Sequence, residues 1–390
     1  MGGRESMLGP VLCVVGARPN YMKMAPLLRA FSAEPSMPRA VLVHTGQHYD
    51  YALNDRLFVD LQLPAPDINL EVGSATHAVQ TAEVMKRFEP VVDEMRPSAV
   101  LVVGDVNSTL ACSLVAAKKG IAVIHVEAGL RSFDRAMPEE INRVLTDQIA
   151  DLMYTTERQA HVNLEREGVA PERVVFVGNL MIDSLRAALP KAVPPEQTLL
   201  QENASADVLR DARGFGVVTL HRPSNVDDPA TLQAVLGILG EVSERLPLIW
   251  PIHPRTRAGI ERSGFARMLA NPRLVSLPPQ GYLEMVGLLG RATVVLTDSG
   301  GIQEESTALG VPCLTMRANT ERPITIEQGT NTLVGRDRAL VLRCVDEVLA
   351  GGGKRGRVPE LWDGKTGARI AAHLGPWLAG NAARQSVAAS

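Results

Sequence analysis

Seven charged residues crowd into HVEAGLRSFDRAMPEEINR, residues 125–143, directly after the apolar run 121–124. They are Glu127, Arg131, Asp134, Arg135, Glu139, Glu140 and Arg143. A carboxylate held at the mouth of a buried strand can take or deliver a proton, or bind a sugar hydroxyl. A loop charged only for solubility has the same composition. Position separates the two readings, because open α/β sheets bind ligands beyond the carboxyl ends of their strands. Glu127 stands at such an end, and Glu139 opens the next helix just after Pro138.

Other segments carry chemistry of a different kind. In TDSGGIQEES, residues 297–306, a strand runs through Ser299, Gly300 and Gly301 into a helix. Free N–H groups and the helix dipole there can hold an anion, and the glycines permit close approach. Glu305, on that helix, is a candidate acceptor for ribose hydroxyls. The bland alternative is an ordinary turn with Ser299 as N-cap. The turn lacks the lysine of a P-loop. VGARPNYMK, residues 15–23, sets Arg18 and Lys23 near a helix start, where a cation is unfavourable unless an anion answers it. Asp105 in VVGDVNSTL reads as a helix cap or a strand-end acid. His221 and Arg222 in VTLHRPSN, and His253 in WPIHPRTR, follow strands and precede proline. ANTERPITIEQGTN, residues 318–331, is a polar loop around Glu321 and Arg322 whose role residue types alone leave open. No His, Asp or Glu set has metal-site spacing, and there is no nucleophile elbow.

Short apolar strands alternating with amphipathic helices must position these groups. The first half reads strand–helix from VLCVV through RAVLVH, SAVLVV, IAVIHV, LMYTT and RVVFV; the second reads GVVTL, PLIWPIH, RLVSL, TVVLT and VPCLTM, the last clear strand. This grammar predicts parallel, doubly wound sheets. Prolines and polar residues at 188–207 mark a linker, giving an N-terminal domain over 1–187 and a C-terminal one over 208–365. Residues 366–390 form a closing helix that packs back on the first domain. Two similar α/β domains then face each other across a cleft, with Arg18, Gln47, His48, Asp105, Glu127, His221, His253 and Ser299 just past strand ends.

At 390 residues the chain suits two domains, and its 45% hydrophobic and 21% charged residues are those of a globular protein. Aromatics make up only 4%, so the cores must be aliphatic. A net charge of −3 with no basic block argues against nucleic acid and anionic membranes. Cys13, Cys112, Cys313 and Cys344 form no CxxC pair and read as free thiols of a reducing cytosol. With neither a signal-peptide layout nor a membrane-length apolar run, the expected location is cytoplasmic.

Taken in order, GARPNYMKMAP, TGQHYD, GDVNST, HVEAGLR, MPEEINR, GNLMIDSL, LHRPSN, TDSGGIQEE and ERPITIEQGTN resemble the non-hydrolysing UDP-N-acetylglucosamine 2-epimerases, over residues 11 to about 335. The resemblance implies a GT-B type fold of two Rossmann-like domains. It further implies reversible conversion of UDP-GlcNAc to UDP-ManNAc without a cofactor, and a homodimer. The implied route eliminates UDP to 2-acetamidoglucal and adds it back with the proton on the other face. Carried over by motif, Asp105, Glu127 and Glu139 match the essential carboxylates and His221 the active-site histidine. Arg18 and Lys23 match basic residues near the phosphates; Ser299, Gly300, Gly301 and Glu305 match UDP contacts. Arg143, Arg222, His253 and Arg322 join them as substrate-binding positions. Asn20 departs from the glutamate of many members. Of the allosteric signature, Gln47 and His253 match, but Asp50 replaces a glutamine and the stretch Glu71–Gln80 lacks an arginine, which implies weakened activation by UDP-GlcNAc.

Competing readings are an epimerase of a UDP-linked diacetamido uronic acid, a hydrolysing epimerase, a GT-B glycosyltransferase and a nucleotide-sugar sensor. A transferase needs an acceptor but no carboxylates on both sugar faces. A sensor would tolerate loss of Asp105 and Glu139.

Overall fold

The computed structural model describes residues 8–46 and 51–388. The chain divides into two compact units, one of residues up to Ser184 together with Glu360 onward, the other Leu185–Pro359.

Among the described residues unit 1 holds seven strands: β1 (Val11–Val15), β2 (Ala40–His44), β3 (Ile68–Asn69), β4 (Ala99–Val103), β5 (Ala122–Val126), β6 (Leu152–Thr155) and β7 (Val174–Phe176). They lie in the order β3-β2-β1-β4-β5-β6-β7, all pairs parallel. Strands β1, β4 and β5 are buried along their whole length, as continuous aliphatic runs covered on both faces must be. The run ending at Ile124 continues as strand through His125 to Val126, so a histidine lies inside the sheet. The two-residue edge strand β3 is too short to leave a periodic signal in the sequence. The helix Thr366–Ala388 belongs to this unit and packs on the helix Arg18–Ala33, where Gly367 meets the backbone of Pro26.

Unit 2 holds β8 (Gly216–Thr219), β9 (Leu248–Pro251), β10 (Leu274–Leu277), β11 (Val294–Thr297), β12 (Cys313–Thr315) and β13 (Asn331–Leu333). Their order is β10-β9-β8-β11-β12-β13, again all parallel. The strand β13 follows the run VPCLTM read as the last; three residues with one buried side chain hide it from periodicity. The stretch 188–207 is not a bare linker. Pro195 starts the helix Pro195–Gln201 rather than breaking it, and Leu199 is fully buried in the core of this unit.

Both sheets are doubly wound. The strand order reverses between β1 and β4 in unit 1, and between β8 and β11 in unit 2. At a reversal the flanking connections leave on opposite faces and open a crevice at the carboxyl edge. Gly104–Asp105 and Leu220–His221 follow β4 and β8 directly. Among the described residues no helix is long and apolar enough to cross a membrane.

Candidate active site

In unit 1 the switch point is built around Glu127. Its backbone turns left-handed at φ 70°, and its N–H and that of Ala128 both donate to the Tyr154 carbonyl at the end of β6. This folds the chain back on itself and buries the carboxylate, whose Oε1 accepts from Lys23 Nζ at 2.7 Å. Lys23 therefore has its anion within the unit. The pair leans on Gly104, at φ 68°, where a Cβ would sit 3.3 Å from Lys23 Nζ. Asn20 closes the turn after β1. Its Oδ1 accepts from the N–H groups of Gly16 and Ala17, each at 3.1 Å, and its Nδ2 donates to the Val103 carbonyl at 2.9 Å. An ionised glutamate at this position would lack that donor.

Asp105 does not occupy a helix N-cap position. The next helix, Asn107–Lys118, has Val106 at its N-cap. Instead the Asp105 carboxylate receives Arg143 Nε at 2.9 Å, and its backbone carbonyl accepts from Asn142 at 2.9 Å. Arg143 is buried and is also paired with Glu140. It reads as the holder of Asp105 more than as a ligand contact. Glu140 is no solvated neighbour either: it accepts from the N–H groups of Ser132 and Phe133, both at 2.9 Å, and clamps the charged loop. Glu139, in the first turn of the helix Pro138–Ile149, is half-exposed. The side chain of Arg18 lies outside the described residues, as do Gln47, His48 and Asp50.

In unit 2 the organising group is Asp298, a residue that sequence reasoning passed over although it follows β11 directly. It is fully buried and accepts from the backbone N–H of His221 and Arg222 and from Asn225 Nδ2. His221 Nδ1 lies 3.0 Å from Asp298 Oδ1. A carboxylate accepts only, so Nδ1 carries the proton and Nε2 is the ring atom available for proton transfer. Burial alone would push the Asp298 carboxyl up. The hydrogen bond and charge of His221, with hydrogen bonds from the Arg222 N–H and the Asn225 side chain, outweigh it and hold the carboxyl below its usual range.

The helix Gly300–Leu309 starts as the motif predicts, with Ser299 at the N-cap but making no side-chain cap bond. Gly300 is buried, and a Cβ there would lie 2.8 Å from Glu321 Oε1. Glu321 also meets Arg317 Nη2 at 2.9 Å and Arg222 Nη2 at 3.6 Å. A carboxylate flanked by two guanidinium groups thus stands at the anion-attracting end of this helix. Arg322 pairs with Glu304 through Nε at 2.7 Å. Glu305 is buried and accepts from the Tyr282 hydroxyl at 3.0 Å. His253 caps the helix Pro254–Arg262, accepting from the Arg255 N–H at 3.2 Å, with its ring 5.4 Å from that of His221. Arg317 lies just past β12 and gave no signal beyond its place after a strand.

The family model described as UDP-N-acetylglucosamine 2-epimerase matches residues 30–375. A UDP-N-acetylglucosamine 2-epimerase of Methanocaldococcus jannaschii is 40% identical over 360 residues, 92% of this chain and 96% of the relative. A UDP-2,3-diacetamido-2,3-dideoxy-D-glucuronate 2-epimerase of Pseudomonas aeruginosa is 39% identical over 335 residues, 85% of this chain and 90% of the relative. The crystal structure of the M. jannaschii UDP-GlcNAc 2-epimerase in complex with UDP-GlcNAc and UDP is similar at a TM-score of 0.81 and 37% identity, covering 94% of this chain and 99% of that one. The two doubly wound sheets described above match the two-domain α/β fold of such structures.

Proposed function

The chain belongs to the UDP-N-acetylglucosamine 2-epimerase family, and we propose that it interconverts UDP-GlcNAc and UDP-ManNAc by inversion at carbon 2. The observation that carries the reading is the buried Glu127–Lys23 pair, set at the switch point beside the strand that delivers Asp105. The hydrogen on carbon 2 is not acidic, since no carbonyl adjoins it in the ring. A base must take it while the bond from carbon 1 to the UDP oxygen breaks. The C–H electron pair becomes the double bond of 2-acetamidoglucal, and UDP leaves with the C–O pair. Elimination is anti. Syn re-addition then returns UDP to carbon 1 and a proton to the other face of carbon 2.

Unit 1 supplies the carboxylates Asp105, Glu127 and Glu139 for proton traffic and sugar binding, with Arg18 and Lys23 as cations. Unit 2 supplies the nucleotide site. The N–H groups of Ser299, Gly300 and Gly301 take phosphate oxygens, Glu305 takes ribose hydroxyls, and His221, Arg222, His253 and Arg322 complete the set. Donors aimed at departing UDP stabilise the charge that develops as it leaves. A cytoplasmic location and a homodimer complete the reading; light scattering on the purified protein tests the second.

The Pseudomonas relative, nearly as similar, keeps a second substrate in view. That uronic acid needs a cation for its extra carboxylate. Among the described side chains of unit 1, Lys23, Arg131 and Arg143 each pair with a carboxylate of the chain, which favours the neutral sugar. The deciding experiment incubates the protein with either UDP-sugar in deuterated water and follows proton NMR. Exchange at carbon 2 with formation of UDP-ManNAc is the expected result. Free ManNAc would point to hydrolysis. Absence of both with UDP-GlcNAc, but exchange with the diacetamido uronate, would replace the substrate named here.

A further inference from the structure

His125 is fully buried in β5, two residues before Glu127. Both of its ring nitrogens face oxygen: Nδ1 is 2.6 Å from Asp147 Oδ1, and Nε2 is 2.8 Å from the Gly104 carbonyl. A carboxylate and a carbonyl only accept hydrogen bonds, so both nitrogens have to donate. Neutral imidazole has a single N–H, and would set a lone pair against the Gly104 or the Asp147 oxygen in the core. The surroundings suit a cation. Asp147 Oδ2 accepts from Arg131 Nη2 at 2.7 Å and from the Gly129 N–H at 3.0 Å. Arg131 reaches Glu167 through Nε at 2.8 Å. Two cations and two carboxylates balance. Burial would push the Asp147 carboxyl up, but His125 and Arg131 outweigh it and hold it below its usual range.

The ring joins two loops. On one side the Gly104 N–H donates to the Val126 carbonyl at 3.0 Å while its own carbonyl takes His125, which fixes the peptide plane from which Asp105 hangs. On the other, Asp147 holds Gly129, just beyond the left-handed turn at Glu127. We propose that His125 is a positioning residue: a buried imidazolium, bridged from Asp147 to the Gly104 carbonyl, that locks the loops bearing Asp105 and Glu127 into one register. It deepens the epimerase reading and rests on it.

The test has two arms. The full chain is labelled with 15N-histidine, and long-range proton–nitrogen NMR is recorded at about pH 8. Of the eight histidines, one is expected to stay protonated on both ring nitrogens and to vanish in His125→Gln. A wild-type spectrum in which no ring is doubly protonated overturns the proposal, whether or not the variant folds. In the second arm, His125→Gln and Asp147→Asn are assayed with UDP-GlcNAc. A displaced acid–base pair costs roughly 10²-fold in kcat, with KM and UDP affinity held within about threefold. Near-normal kcat in His125→Gln, or a loss expressed only in KM, overturns it. A wild-type chain without turnover sinks the epimerase reading separately, because ring protonation is read without substrate.

Discussion

The ammonium of Lys23 lies 2.7 Å from Oε1 of Glu127, and both side chains are almost wholly buried. The pair joins the first helix of unit 1 to the end of β5. It answers the cation near a helix start with an internal anion, where the sequence pattern pointed to an external one. A carboxylate so placed is dry and held in one geometry, which suits it to act at a defined point of a bound substrate.

Replacing Glu127 by Gln keeps the shape and removes the charge. Turnover of UDP-GlcNAc should fall by about 10²- to 10⁴-fold, the usual contribution of a positioned acid or base. UDP binding, measured by calorimetry, should be unchanged. A variant retaining a large part of wild-type turnover would remove Glu127 from the chemistry. Lys23→Met leaves the carboxylate buried without its partner, at a cost of about 3–5 kcal/mol in urea unfolding.

Asp298→Asn removes the charge that orients His221. The carboxyl of Asp298 is held below its usual value of 3.8 in the folded chain. A group depressed in this way contributes stability that is complete above the unfolded value and is lost as pH falls through the folded one. Wild type should therefore lose stability in acid, below about pH 4, more steeply than the Asn variant does. Equal slopes in acid titrations of unfolding would contradict the assignment. At neutral pH the variant should be slower in kcat, since the His221 tautomer is no longer enforced.

Gly300→Ala tests the anion end of the helix Gly300–Leu309. The added methyl would meet Glu321 Oε1 at 2.8 Å and stand where a phosphate is to approach. UDP affinity should weaken by at least about tenfold, or about 1.4 kcal/mol. The fold should survive, because the backbone at Gly300 is helical. Unchanged UDP binding by calorimetry would move the phosphate site elsewhere.

Asn20→Asp probes the departure in the first turn. The acid still accepts from Gly16 and Ala17 but turns an acceptor toward the Val103 carbonyl, now 2.9 Å from a donor. The expected loss is about 1–3 kcal/mol in denaturant unfolding, the cost of a buried polar group left unmatched. A variant as stable as wild type would show that the Asn20 bridge to β4 contributes nothing.

Much of this site was legible in the sequence because strand ends are legible. Asp105, Glu127, His221 and Ser299 each follow an aliphatic run, and each stands at a carboxyl edge in the structure. The groups that hold them were harder to see. Glu140 was one more acid in a charged stretch, Asp298 drew no role in its turn, and His125 was read as part of a strand without one. Their burial depends on neighbours contributed by other strands and helices, which periodicity does not record. Gln47 and Asp50, which only the family resemblance links to allosteric activation, lie outside the described residues.

By itself the sequence determined the alternation of aliphatic strands and amphipathic helices, and with it two parallel, doubly wound sheets. That is local information: strands covered on both faces must be apolar throughout, and parallel neighbours need a helix between them. Only the tertiary structure decided which charge answers which. Lys23 finds Glu127 across 104 positions, and Asp298 finds the backbone of His221 across 77. Such partners are chosen by strand order and by the low dielectric around them, where an unpaired charge is costly and a paired one is held in place.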